Sequence, residues 1–405
     1  MKKLVSIGRK IARSLVKAIA SIVLIFIMAV AATSISPIYN FEKAHPFEGA
    51  EIYNPYKSLD TTTLWKRANF HTHTRVEGIM NECDYWPDEV YRRLEKFGYD
   101  IVTFSNHNEQ TTHPKGEEYQ SNGDEHGYNL LKFHKLVYGC SDVKGFDHLI
   151  PLTVSQKQFQ FDILGKDCDF IQFNHPLRTE GLSSKQMEKL EGYRLIELDS
   201  GRSTENEYWD WALSAGIYSF GVANDDLHYP DRSGRIAVRS NFLDCKSSTY
   251  EDVKNTLSSG AFYAMRIPDY GNGDWEVKYA RNRELPFIKE IGLRNDTIHI
   301  ALSEPADSIV FTGQGHSTLH AVKGTALAKY ILRPSDSYAR ITAYFQDGEV
   351  IYTNPFARYD KSESDTPFRP SRHSVNTILT LLYNLALAVI FAGLVIVLKT
   401  IIKKR

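Results

Sequence analysis

Two stretches of the chain are apolar and uncharged throughout, at positions 18–41 and 374–398. Each exceeds the roughly 20 residues a helix needs to cross the hydrocarbon layer of a bilayer. Both are expected to be transmembrane helices; for the first, whose apolar centre runs into Ala-rich sequence, a cleaved signal peptide is the alternative. Between them, segments of helical period alternate with short apolar runs. Pro87 opens a helix through Lys96, Gly98 ends it, and a strand follows at 100–104. Ser183 and Ser184 cap a helix reaching Leu190, before a strand at 195–198. Helical patterns at 205–213 and 250–257 end near Gly216 and Gly260, before strands at 218–222 and 261–265. A polar cap, an amphipathic helix and a terminal glycine recur in these units. Repeated helix–strand alternation implies a parallel sheet wrapped by helices, as a barrel or a doubly wound layer.

Beyond the breaker cluster Gly271, Asn272 and Gly273 the period changes. From about residue 285, short alternating strands are expected at 297–302, 308–312, 326–332, 339–345 and 350–352, the pattern of a small antiparallel β-sandwich. The chain thus divides into a basic tail (1–17), a span (18–41), a polar tether (42–66), an α/β body (67–268), a sandwich (275–360), a second tether (361–373), a second span (374–398) and a basic tail (399–405).

Charge adds orientation. Positions 1–41 and 371–405 contain no Asp or Glu and hold eleven of the 48 basic residues, leaving 37 against all 49 acids, a net of −12 in the central body. Basic flanks stay cytoplasmic. Both termini are therefore expected inside an inner or plasma membrane, with the body in a periplasmic or extracellular space. An acidic body argues against a nucleic-acid partner. Cys83, Cys140, Cys168 and Cys245 are compatible with two disulfides there, although their spacing fits better the role of small, partly buried side chains.

The histidines carry the chemistry. Asn69-Phe-His71-Thr-His73-Thr ends a strand, and residues two apart on a strand share one face. His107 closes the next strand, His175 another, and Asp226-Leu-His228 repeats the spacing with a carboxylate. A single such His is usually an ordinary packed side chain. Five His and an Asp just beyond four strands of a parallel α/β body converge on one mouth, where active sites form. Imidazole and carboxylate together suit divalent Zn, Mn or Fe. His113, His126 and His134 are expected to be solvated loop residues; His148, His299, His316 and His320 structural; His45 and His373 lie in tethers.

The motifs at 67–265 resemble the PHP (polymerase and histidinol phosphatase) family of metal-dependent phosphoesterases. His71-Thr-His73-Thr is similar to its H-x-H-T opening, and Ser105-Asn-His107-Asn to T-D-H-N with Asn106 in the aspartate's place. Asn174-His175-Pro and Asp226-Leu-His228 resemble the later motifs. The resemblance implies a distorted (β/α)7 barrel with up to three metals. Carried over by motif, His71, His73 and Asp226 hold one ion, His107 and His228 a second with Glu77 (or Asp84), and His175 belongs to a third, central position. The family's bridging glutamate is expected after Pro151, where the chain reads Leu-Thr-Val-Ser155-Gln without an acid. The histidine expected next falls in Gln156-Lys-Gln-Phe-Gln160-Phe-Asp162. The central site is therefore expected to lack two ligands, unless Gln160 or Asp162 substitutes.

The activity implied is hydrolysis of a phosphate ester on a small molecule, lipid or glycan, outside the cytoplasm. Asp226 is a catalytic candidate as a metal ligand, and Arg178 and Arg202 as phosphate-holding groups. The contrasting expectation is a catalytically weak scaffold acting as an envelope interaction protein.

Overall fold

The computed structural model describes residues 2–59, 64–78, 81–200, 203–204 and 206–403. The chain enters through helix α1 (Lys2–Thr33), then short strands β1 (Tyr39–Phe41) and β2 (Glu51–Tyr53). The body alternates β3 (Lys66–Thr72), α2 (Pro87–Glu95), β4 (Ile101–Phe104), β5 (Gly123–His126), β6 (Lys135–Tyr138), α3 (Val154–Leu164) and β7 (Phe170–Phe173). It continues with α4 (Ser184–Met187), β8 (Leu195–Ser200), β9 (Ser203–Thr204), α5 (Asn206–Ser214), β10 (Phe220–Asn224), β11 (Arg239–Leu243), α6 (Tyr250–Ser259) and β12 (Phe262–Arg266). After α7 (Trp275–Arg281) come β13 (Ile288–Arg294), β14 (Thr297–Gly313), β15 (Ser317–Ile331), β16 (Tyr338–Tyr344), β17 (Val350–Thr353) and β18 (Phe356–Tyr359). Strand β19 (His373–Val375) leads into helix α8 (Thr377–Lys403).

Two sheets build the body. One has the order β10-β8-β7-β6-β5, and in the other β12, β11, β3 and β4 lie side by side. They meet at two single parallel bridges, Thr72 to Leu227 and His107 to Glu125. The pairing β5–β6–β7 is antiparallel, against the all-parallel expectation. Strand β5 is Gly123-Asp-Glu-His, with every residue buried; with no apolar residue, its period gives no strand signal. Expected helix ends agree to within a few residues where caps are strong. Thr249 accepts from the Asp252 amide, and Gly260 closes α6 at φ +84°, where a side chain would strike the Phe220 ring. Ser184–Met187 is a single turn, stopping short of Leu190.

The expected sandwich is not a separate sheet. Its ladder runs from β13 through β14, β16 and β17 into β12 and on to β4. The expected strands at 297–302 and 308–312 are one strand, β14, whose register shifts between Ala301 and Ala306. Its first half pairs with β13 and its second with β16, and apolar residues of both halves enter one core with Tyr263, Met265 and Ile351. Nor are the described residues of 42–66 an irregular tether: Phe47 and Tyr56 are buried, and β2 adds to β18. The four cysteines are free thiols, not disulfides.

The terminal helices are long and apolar enough to cross a bilayer: an 18-residue window within Ile11–Thr33 has mean hydropathy 2.6, and one within Thr377–Lys403 has 2.7. Both helical stretches are shorter at the body side than the uncharged runs, because residues 39–41 and 373–375 leave the helices to pair as β1 and β19. Beside this ribbon, the Tyr383 hydroxyl donates to Ser34 O (3.1 Å) and the Asn384 amide to Ser36 O (3.1 Å). The stem then docks on the body. Tyr39 donates to Asp162 (2.6 Å), and His373 lies between Asp162 (3.0 Å) and Glu191 (2.6 Å).

Candidate metal centre

The strand ends bring His71, His73, His107, His175, Asp226 and His228 to one place, around a carboxylate outside the expected set. Glu125, at the polar end of β5, is buried. Its Oε2 lies 3.1 Å from His71 Nε2, 3.3 Å from His73 Nε2 and 3.2 Å from His107 Nε2. Its Oε1 lies 3.3 Å from His175 Nε2 and 3.4 Å from His134 Nδ1. One carboxylate thus faces five imidazoles, three on one oxygen and two on the other. Asp226 Oδ1 stands 3.2 Å from His71 Nε2 and 3.5 Å from His73 Nε2. Glu82 Oε2 stands 3.2 Å from His107 Nε2 and 3.8 Å from His228 Nε2.

These findings correct several expectations. No acid after Pro151 reaches the centre; Glu125 of β5 stands among the imidazoles, and His134, not a residue of 156–162, lies beside it. Residues 156–162 form α3 instead, where Gln160 bonds Lys135 and Asp147, and Asp162 bonds the stem. Neither substitutes as a ligand. Glu77 and Asp84 are exposed and belong to none of the candidate metal groups, whereas Glu82 belongs to one. His134 is mostly buried at the centre, and His113 and His126 are buried too, paired with Glu117 and the Phe146 carbonyl. None of the three is a solvated loop residue. His373, placed in a tether, joins the stem to the body through Asp162 and Glu191. Arg178 reaches the mouth, with its guanidinium paired to Asp226. Arg202 lies outside the described residues.

A second layer holds the imidazoles. Glu197 on β8 takes His71 Nδ1 (3.1 Å) and the Asn224 amide (3.0 Å) on one oxygen, and the His175 backbone N–H (2.9 Å) on the other. With Nδ1–H donated to Glu197, His71 turns Nε2 toward Glu125 and Asp226, the carboxylate–histidine arrangement typical of metal ligands. His175 (φ +27°) and Asp226 (φ +48°) sit in the left-handed region. Such a conformation costs a non-glycine residue about 1–3 kcal/mol and collects at functional sites.

Electrostatics divide the histidines into two sets. Burial opposes charge on His71, but Glu125, Asp226 and Glu197 hold its pKa well above the ordinary value. Burial likewise opposes charge on His73, yet the close Asp226 and Glu125 carboxylates bring it up to about 9. Burial pushes His134 down to about 3 and His228 to about 4, and lowers His107. Burial disfavours charge on Glu125 and Asp226 too, but the surrounding cations, His71 foremost, keep both well below the usual carboxylate range. The result is ionised carboxylates around a protonated pair, His71 and His73, beside imidazoles held neutral by burial; ligation requires neutral imidazole, so a metal bound at His71 and His73 would release their protons.

The donor set fits divalent metal. His71 Nε2, both nitrogens of His73, His107 Nδ1 and His175 Nδ1 are buried without hydrogen-bond partners. The contacts to Glu125 and Asp226 are close in distance but not aligned as hydrogen bonds. Ligands about 2.1 Å from a tetrahedral ion stand roughly 3.4 Å apart, which is the N–O spacing found here. Among the described residues four overlapping groups qualify: His71, His73 and Asp226; His71, Glu125 and His175; His73, Glu82 and His228; and His73, His107 and Glu125.

No family model and no curated protein matches the chain. A solved structure that resembles it is a two-domain protein containing a predicted PHP-like metal-dependent phosphoesterase, from Bacteroides vulgatus. The two share 16% identity over 78% of this chain and 100% of that one, at a TM-score of 0.37. So loose a likeness says nothing of this chain's chemistry, which stands on its own residues.

Proposed function

We propose that this chain is a membrane-anchored, metal-dependent phosphoesterase of the PHP type, with its site outside the cytoplasm. The observation that carries this reading is Glu125, a buried carboxylate shared among five imidazoles. A scaffold without chemistry gains nothing from so costly a burial of charge. The ground for a weakened scaffold was a missing bridging carboxylate, and Glu125 with His134 removes that ground.

His71, His73 and Asp226 would hold one ion and His107, His228 and Glu82 another. Glu125 would be shared with a central position completed by His134 and His175. Bound there, Zn, Mn or Fe ions would supply Lewis acidity toward a phosphate ester and a water ionised near neutral pH. Glu197 fixes the tautomer and aim of His71. Arg178, beside Asp226 and partly open to solvent, is placed to exchange that pairing for two donors to the phosphoryl oxygens.

The test is elemental mass spectrometry on the purified full chain, beside His71→Ala/His73→Ala and Glu125→Gln. The reading expects at least about two metal equivalents in the wild type, reduced in both variants, and metal-dependent phosphate release from simple esters. Wild-type protein without metal above background, after loading with Mn or Zn, would sink it.

A further inference from the structure

The rim of the metal site is tied to the end of a membrane helix through a short hydrogen-bonded path. At the body end of α1, the Thr33 hydroxyl accepts from the Leu149 amide (3.2 Å), and the Thr33 carbonyl meets His148 Nδ1. The Leu149 carbonyl in turn accepts from the Leu130 amide (3.0 Å). Leu130 belongs to the turn after β5, five residues beyond Glu125. The same turn carries Tyr128, whose ring lies 4.9 Å from the ring of His107 and whose hydroxyl donates to the His107 carbonyl (3.0 Å). On the other side, His126, next to Glu125, bonds the Phe146 carbonyl (2.8 Å). Two hydrogen bonds, one to the Thr33 side chain and one between backbones, thus join the rim at Leu130 to the helix end.

The surface along this path is apolar where a solvent-facing loop would be polar. Leu130 is 51% exposed, Leu152 65%, Tyr128 43% and Phe146 39%. Leu152 precedes α3, whose Gln156 contacts Ser34 O (3.4 Å) and the Tyr383 hydroxyl (3.3 Å), so the patch is continuous with the helix pair. Lys132 is exposed in the same turn, and its carbonyl bonds Thr179 (3.1 Å), one residue from Arg178. Apolar contacts beside the exposed Lys132 suit an interface of acyl chains and headgroups, with Glu180, whose amide bonds the Leu131 carbonyl (2.8 Å), an exposed acid on the same side.

We propose that the mouth of the metal site rests on the bilayer and takes its phosphate ester from the headgroup of a membrane lipid. This rests on the proposed function, that the helices span and the site hydrolyses phosphate esters. Lys132 and Arg178 attract the headgroup, Leu130, Leu152 and Phe146 hold the rim at the interface, and the ester reaches Glu125 without leaving the membrane surface.

Two measurements on the full chain in phosphatidylcholine vesicles test it. In the first, tryptophan replaces one residue at a time and quenching by brominated lipid is read against wild type. Phe391→Trp, within α8, reports whether the helix is inserted; Leu327→Trp, exposed on β15, reports the distal sheet. Extra quenching at Leu130→Trp, as at Phe391→Trp, is expected; a Leu130 signal equal to that of Leu327 overturns the proposal. No quenching at Phe391 overturns the membrane anchor on which it stands. In the second, Mn-loaded protein is given phosphatidic acid in the vesicles or soluble glycerol 3-phosphate. Leu130→Glu/Leu152→Glu is expected to lower release from the lipid at least about tenfold, with the soluble ester unaffected. Equal loss on both, or no loss on the lipid, overturns the lipid assignment while leaving the hydrolase. Release from neither substrate by wild type overturns the hydrolase reading and this inference with it.

Discussion

At His71 a single imidazole meets three carboxylates, and the second layer decides which nitrogen serves the site. Glu197 takes Nδ1, leaving Nε2 for Glu125 and Asp226. Glu197→Gln keeps the volume and loses the charge that aligns the ring. It should weaken metal binding about 10–100-fold while leaving secondary structure intact, as read by chelator competition beside circular dichroism. Glu77→Gln should leave affinity unchanged, since its side chain is exposed and outside every candidate group. Of the centre's ligand types, those in H-x-H and D-x-H pairs were legible, because a two-residue spacing on a strand carries geometry in itself. Glu125, Glu82, His134 and Glu197 were not. Glu82 follows a loop of unconstrained path, and Glu197 sits in the middle of an apolar strand.

Among the elements, α5 and the distal sheet are joined by a buried ion pair. Arg340 on β16 gives two bonds to Asp210 on α5 (2.8 and 2.6 Å), and His316 and Tyr338 close on the same carboxylate. Burial disfavours the Asp210 charge, yet Arg340 keeps its pKa below the usual value. Arg340→Met should cost about 3–5 kcal/mol, because it strands a buried charge, and Asp210→Leu/Arg340→Met should recover part of that. Denaturant unfolding of the detergent-solubilised chain measures both. The elements themselves were readable where period and caps agree, as in α2, α6 and β16. Polar β5 was not. Its four residues make a strand only because β6 pairs with it and His107 bridges to Glu125.

For the molecule as a whole, the stem–body joint should respond to pH. His373 lies between Asp162 and Glu191, with Tyr39 on Asp162 and Arg372 near Glu191 (3.7 Å). Burial opposes its charge, but the two carboxylates raise its pKa from 6.5 to about 9. A raised pKa in the folded state means the protonated ring stabilises the fold. The contribution is complete below about 6.5 and disappears as pH rises through about 9. Thermal unfolding midpoints from about pH 6 to 10 should therefore fall more steeply in wild type than in His373→Gln. Parallel curves would show that this pairing does not tie the stem to the body.

The sequence by itself determined the two apolar helices, the acidic body between basic ends, the helix–strand alternation and the paired ligands at strand ends. Each of these is local: a run length, a charge count, a period of two or of 3.6. Tertiary structure decided which strand brings Glu125 to the histidines, which of the neighbouring acids reaches His107 and His228, and that β13–β18 continue the body's ladder. It also set the candidate metal centre near the end of α1. Those outcomes depend on residues far apart in the chain meeting in space, and a buried polar residue reveals its partner only when the fold has removed every other.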